Sequence, residues 1–301
     1  MALKMALPKG HLWNDVKSIL NQAGYGLELK NERSYSVKSN DPELDMRIHR
    51  AQNISPLVEE GVYDLGITGH DWVLEFNAKV EELYDLKFGK VDIVAAVPQK
   101  YGFEPYSTID VLKEYAHKLK ATGKDKIIVA SEYENLTKKL CDQLPLPYKF
   151  IRSYGATETF QGVTDLIVDC TETGRSLQEN GWQPVFKLFE STARIIANKQ
   201  SLADPKKKDK IDGLIALVEG AKEGRARKLL KMNVPERALR DVLKILPAMK
   251  SPTISKLVEE KEPGYAIEVA VKEDQVVSLI PLLKKKGATD ILEIDIKKAI
   301  K

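Results

Sequence analysis

Apolar positions in the first 97 residues fall into short blocks that switch between two periods. Leu3 to Leu7, Met46 to His49, Leu65 to Thr68 and Val91 to Val97 are compact runs suited to buried strands. Leu12 to Ala23 and Ile54 to Gly61 space their apolar residues along one helical face. The alternation predicts an α/β sheet. Pro98 to Pro105 is rich in turn formers, so the chain is expected to leave its first domain there through a hinge. A second α/β block follows, with strands at Lys126 to Ala130 and Thr164 to Asp169 around a helix from about Asn135 to Gln143, ending near Phe189. A strand at Ala193 to Asn198 and an amphipathic helix at Lys206 to Gly220 then return to the first sheet, which makes the first domain discontinuous.

From Arg225 the pattern changes to a strand (Ala226 to Met232), a helix opened by Pro235 (Glu236 to Leu246) and strands at Thr253 to Val258 and Tyr265 to Val271. A helix from Glu273 to Lys286 and a strand from Asp290 to Ile296 complete a βαββαβ order, the ferredoxin-like arrangement. Gly287 sits where a helix stop belongs, and Lys284, Lys285 and Lys286 suit the negative end of that helix.

Composition narrows the function classes. With 301 residues, 43% hydrophobic and 30% charged, the chain holds more apolar material than one core usually absorbs, so two or three domains are expected. Lys plus Arg number 47 against 44 Asp plus Glu, which gives no polyanion-binding surplus and no support for a nucleic-acid partner. Two cysteines, Cys141 and Cys170, make no disulfide framework. The opening Met1-Ala2-Leu3-Lys4 does not show a basic segment followed by a long apolar one, so no leader is expected, and no apolar run approaches the ~20 residues that span a bilayer. A cytoplasmic, reduced protein without a membrane partner is expected.

The strongest local signal is Asp165 to Leu177, in which a buried strand ending near Asp169 and Cys170 runs into Thr171, Glu172, Thr173, Gly174, Arg175 and Ser176. Backbone N–H groups at a helix start, joined by hydroxyls, can hold a phosphate, and Asp169 can accept hydrogen bonds from sugar hydroxyls. A phosphorylated sugar fits both halves; an ordinary β-turn-α connection with a capping Thr or Ser fits the spacing equally well. Leu7-Pro8-Lys9-Gly10-His11 offers a point charge and a glycine at a strand-to-helix turn, or simply a surface turn. Gly61 to Trp72, carrying Gly69 and Asp71, reads as a strand end beside a crevice, or as a tight turn with a helix cap. The four histidines lack metal-ligand spacing, and Cys170 reads as a small buried thiol. Hydrolase and redox motifs are absent.

Five ordered segments resemble the long form of the ATP phosphoribosyltransferase family: Leu7 to Gly10, Arg50 to Ile54 leading into Val58 to Gly69, Ser131 to Thr137, Gly155 to Glu158 running through Asp165 to Leu177, and Met232 to Pro235 with Ser251 to Ser255. The resemblance implies two α/β domains forming a periplasmic-binding-protein-like cleft, residues 1–97 with 190–222 and residues 98–189, plus a C-terminal ferredoxin-like regulatory domain at residues 223–301. It implies a magnesium-dependent pentosyltransferase of histidine biosynthesis that joins N1 of ATP to the ribose of 5-phosphoribosyl 1-pyrophosphate. Asp169 and Glu158 would then be catalytic, and Asp169 with Thr171 to Ser176 would bind the phosphoribosyl donor. Lys9, Gly10, His11, Arg33, Arg50, Gly69 and Asp71 would line the ATP and pyrophosphate wall. The metal ligands stay unassigned. Asn233, Met249, Ser251, Thr253, Ala270 and Asp290 would bind L-histidine as feedback inhibitor, in a homo-oligomer, dimer or hexamer. His11 stands where the family commonly has Arg, and Asn53 and Ser55 replace a frequent Asp and Pro. The two-lobed plan alone also describes a non-catalytic solute-binding sensor; Asp169 beside a hydroxyl-rich loop favours the transferase.

Overall fold

The computed structural model describes residues 2–29, 31, 34–247, 251–258 and 262–300. It divides into two compact units, Met1–Val16 with Glu28–Lys208, and Lys17–Leu27 with Asp209–Lys301.

The first unit has two α/β lobes. In the first lobe a seven-stranded sheet runs Glu28–Leu29, Ser36–Lys38, Leu44–His49, Leu3–Pro8, Leu65–Gly69, Ala193–Ala197 and Glu81–Asp85 in spatial order. Leu3–Pro8 lies parallel to both of its neighbours and is buried except at Lys4, as expected of a strand covered on both faces. Leu65–Gly69 is buried throughout, and Gly66 is there for space: a Cβ would meet Cγ2 of Ile54 at 2.5 Å.

The second lobe is a five-stranded sheet in the order Trp182–Ser191, Val91–Pro98, Leu166–Thr171, Ile127–Ser131 and Tyr148–Arg152. Val91–Pro98, expected from sequence at the end of the first domain, pairs here with Leu166–Thr171 and Trp182–Ser191. The chain thus changes sheets between Asp85 and Val91 and returns between Ser191 and Ala193. Ile93, Ala95 and Val97 pack with Leu112, Tyr115, Ala116 and Leu119 of the helix Ile109–Ala121, while Val94 and Ala96 pack with Leu177 and Trp182 on the opposite face. A strand covered on both faces reads as a plain apolar run, and such a run does not reveal which sheet it joins. The arrangement is the expected periplasmic-binding-protein-like pair of lobes.

The second unit holds a four-stranded antiparallel sheet in the order Thr253–Lys256, Gly264–Lys272, Arg227–Pro235 and Thr289–Asp295. With the helices Leu239–Ile245 and Glu273–Lys285 this is the expected ferredoxin-like domain. Leu230, Met232, Val234, Ile267, Val269 and Val271 form its core with Val242, Val276, Leu279 and Leu283 of the two helices. Gly287 takes φ +95° just past the second helix, in the left-handed conformation of a helix stop, and Lys284 and Lys285 occupy its last turn. Among the described residues no helix is long and apolar enough to cross a membrane.

Candidate active site between the two lobes

Five strand ends converge on one cavity of about 440 Å3, lined from the first lobe by Lys9, Gly10, His11, Arg50, Gly69 and Asp71 and from the second by Glu132, Tyr133 and Cys170. Six of the seven residues expected on the ATP and pyrophosphate wall are therefore together; the seventh, Arg33, lies outside the described residues. The Lys9 amide donates to the His49 carbonyl at 2.7 Å, and Gly10 turns the chain at φ +89° into the helix His11–Ala23. Lys9 Nζ stands 5.2 Å from the centre of the exposed Tyr35 ring.

Asp71 is buried and fully engaged. One carboxylate oxygen accepts the Tyr133 hydroxyl at 2.8 Å, and the other accepts the Ser191 hydroxyl at 2.6 Å. Trp72 stacks on Tyr133 with ring centres 4.5 Å apart, a contact suited to aromatic pairs. One turn later on the same helix, His70–Phe76, the buried Glu75 accepts the amides of Asn135 and Leu136 at 2.9 and 3.0 Å, and its carbonyl accepts the Asn135 side chain at 2.9 Å. These amides open the helix Glu134–Cys141 of the second lobe, where a carboxylate satisfies donors that have no partner inside the helix. Burial still raises the Glu75 carboxyl above its ordinary value, with the two amides opposing.

The hydroxyl loop closes the Leu166–Thr171 strand. The Thr171 hydroxyl accepts the Gly174 amide at 2.8 Å, and Gly174, at φ +77°, caps the helix Arg175–Glu179. The Arg175 side chain turns along the helix to Glu179 at 2.8 Å, while Glu172, Thr173 and Ser176 are exposed. The cavity lining reaches Cys170 but not Thr171 to Ser176. Asp169 precedes Cys170 on the strand and accepts its amide at 2.8 Å. Burial raises its carboxyl to about 7 against the pull of the Cys170 amide, and the neighbouring Glu158 and Glu132 raise it further. Glu158 is held by the second core, since its carbonyl accepts the indole N–H of the fully buried Trp182 at 2.8 Å. Cys170 is exposed, not the buried thiol expected from sequence, although desolvation of its sulfur and the neighbouring Asp169 push the thiol up to about 12, which disfavours a nucleophilic role near neutral pH.

Sequence reasoning assigned no role to Glu132, Trp72, Tyr133 or Arg152. Glu132 follows directly on the strand Ile127–Ser131, and the tendency of open α/β sheets to bind ligands at the carboxyl ends of their strands is the signal that points to it. Among the described residues no group of three or more His, Cys, Asp or Glu side chains is placed to hold a metal ion.

In the second unit the strand register puts Asn233, Ala270 and Thr253 on the sheet face opposite the helices, because Leu230, Met232, Val234, Ile267, Val269 and Val271 fill the helix-covered face. Asn233 Nδ2 donates to Asp290 at 3.1 Å, and Ser251 is exposed just before the edge strand. Met249 lies outside the described residues.

Residues 50–220 match the family model for ATP phosphoribosyltransferase (HisG), and residues 224–298 match the model for the HisG C-terminal domain. An ATP phosphoribosyltransferase of Pelotomaculum thermopropionicum is 40% identical along the whole of both chains. Another, of Chlorobium phaeovibrioides, is 37% identical over 99% of this chain and 97% of its own. A chain of the ATP phosphoribosyl transferase (HisG:HisZ) complex from Thermotoga maritima shares the fold, with a TM-score of 0.58 at 24% identity, covering 72% of this chain and 98% of that one.

Proposed function

The chain belongs to the ATP phosphoribosyltransferase family in its long form, and from that premise we propose that it transfers the phosphoribosyl group of 5-phosphoribosyl 1-pyrophosphate to N1 of ATP, the first step of histidine biosynthesis. What supports the reading is that Cys170, set in the chain between Asp169 and the hydroxyl loop, lines the cavity whose other wall bears Lys9, His11 and Arg50. The N1 lone pair attacks the anomeric carbon as the bond to pyrophosphate breaks, and pyrophosphate leaves with the electron pair. Positive charge develops on the sugar, so positioning and neutralisation of the leaving group matter more than a strong base. In this reading Thr171, Thr173, Gly174 and Ser176 hold the 5-phosphate, with Glu172 and Arg175 at the rim. Asp169 accepts the ribose hydroxyls, Glu158 faces the sugar, and Lys9, Gly10, His11, Arg50 and Gly69 receive pyrophosphate and ATP. Asp71 serves that wall through Tyr133 and Ser191 rather than through free oxygens.

Magnesium fits as a companion of the substrates, not as a resident of a protein cage, because the described residues offer no three-ligand cluster. Bound to the phosphates, it would offset their charge.

In the ferredoxin-like domain, Asn233, Ser251, Thr253, Ala270 and Asp290 line the face we assign to L-histidine as inhibitor, in a cytoplasmic homo-oligomer, dimer or hexamer. What supports this is the Asn233–Asp290 pair on the sheet face away from the helices, which Ala270 and Thr253 share. The test is phosphoribosyl-ATP formation from ATP, 5-phosphoribosyl 1-pyrophosphate and magnesium, with pyrophosphatase present, with and without histidine. Turnover suppressed by histidine is the expected result; binding of both substrates without turnover would favour a sensor.

A further inference from the structure

Glu132 lines two cavities at once. One is the cavity already described; the other, about 410 Å3, adds Asn53, Phe76, Arg152, Ser153 and Tyr154, and both share Arg50, Gln52, Trp72 and Glu132. The second cavity has the lining of a purine site. Phe76 and the exposed Tyr154 offer aromatic surface, Trp72, itself stacked on Tyr133 and Phe76, backs the site, and the Gln52 and Asn53 amides offer donors and acceptors. Glu132 is half-buried and accepts no hydrogen bond among the described residues, which leaves its carboxylate available to a ligand. Its Oε1 lies 3.7 Å from where a Cβ on Gly155 would stand, beside the turn that carries Glu158, and its charge is felt by Asp169.

Displacement at an anomeric carbon brings the nucleophile in opposite the leaving group. Given the proposed transferase reading, on which this inference rests, pyrophosphate beside Lys9 and His11 leaves the second cavity for the base. We propose that Glu132 accepts a hydrogen bond from the exocyclic N6 amine of adenine and stabilises the positive charge the base acquires as N1 bonds to the ribose carbon. In that step the N1 lone pair becomes the new N–C bond, the C–O electrons leave with pyrophosphate, and the charge spreads over N1, C6 and N6. No proton moves. Burial raises the Glu132 carboxyl above its ordinary value, and Arg50 and Arg152 oppose that shift by favouring the charged form. The same carboxylate repels a purine with a carbonyl at position 6, so it also selects adenine.

The test compares wild type with Glu132→Gln and Glu132→Asp, using ATP as substrate and inosine triphosphate as a binding competitor. Glu132→Gln is expected to lower kcat by ~10- to 100-fold, as for loss of a charge-assisted hydrogen bond. It should narrow the ATP-over-inosine preference in Kd at least ~10-fold, because its amide can donate to the carbonyl. Affinity for 5-phosphoribosyl 1-pyrophosphate should stay within about twofold, since the donor is held elsewhere, and Glu132→Asp should recover part of kcat because the charge is kept. An unchanged base preference in Glu132→Gln overturns the proposal even if kcat falls. A wild-type protein that makes no phosphoribosyl-ATP overturns the transferase reading itself.

Discussion

The Glu75 carboxylate accepts the Asn135 amide at 2.9 Å across the two lobes of the first unit, ending one helix on the first turn of another. With Asp71 to Tyr133 at 2.8 Å and the Trp72–Tyr133 stack, it makes a joint in which two buried carboxylates have all their partners supplied by the closed arrangement. Opening the lobes would strand both. Glu75→Ala is expected to cost ~2–4 kcal/mol by leaving two helix-start amides without an acceptor, and Glu75→Gln less, because its oxygen still accepts one. Chemical denaturation of the three proteins measures this; an alanine variant within ~0.5 kcal/mol of wild type would show that the joint contributes little.

Asp169 gives a pH signature. Its carboxyl is raised from 3.8 to about 7, chiefly by burial, so the fold favours the protonated form. That contribution is fully present below the ordinary carboxylate value and is lost as pH rises through about 7. Asp169→Asn stays neutral at every pH, so it should melt several degrees above wild type at pH 8 and close to it at pH 4, while losing at least ~100-fold in turnover. Equal melting shifts at both pH values would contradict the assignment.

Gly174 carries the hydroxyl loop at φ +77°, and a Cβ there would come within 2.9 Å of the Tyr106 hydroxyl. Gly174→Ala is therefore expected to shift the loop at a cost of ~1–2 kcal/mol. Steady-state kinetics should show the KM for 5-phosphoribosyl 1-pyrophosphate rising ~10-fold with a smaller change for ATP. A KM increase confined to ATP would place the donor phosphate elsewhere.

Asn233 holds Asp290 at 3.1 Å on the open face of the ferredoxin-like sheet. Asn233→Ala should raise the histidine concentration for half-inhibition ~10-fold through loss of one or two hydrogen bonds, with kcat in the absence of histidine unchanged. Inhibition curves that superimpose on wild type would remove Asn233 from the histidine site.

Local chemistry is legible in this sequence wherever it is made by neighbours in the chain. The βαββαβ order, the stop at Gly287 and the Thr171–Gly174 contact all lie within one element or one turn, and each follows from periodicity or turn chemistry. The joint does not, because Asp71 meets Tyr133 and Glu75 meets Asn135 across about sixty residues of sequence, and no spacing rule reaches that far. Asp71 is recognisable as a residue of the cleft, but not that Tyr133 and Ser191 occupy both of its oxygens. Val91–Pro98 is plain as a buried strand, and nothing in its apolar run says that it opens the second sheet.

The two crossings between sheets order the events of synthesis. All five strands of the second lobe lie in the continuous stretch from Val91 to Ser191, so that lobe has every one of its strands as soon as Ser191 has left the ribosome. The first lobe begins earlier and finishes later, because Ala193–Ala197 must enter between Leu65–Gly69 and Glu81–Asp85. Until it does, those two strands have no common partner, and the nascent first sheet carries an open slot between them while its neighbour is already closed.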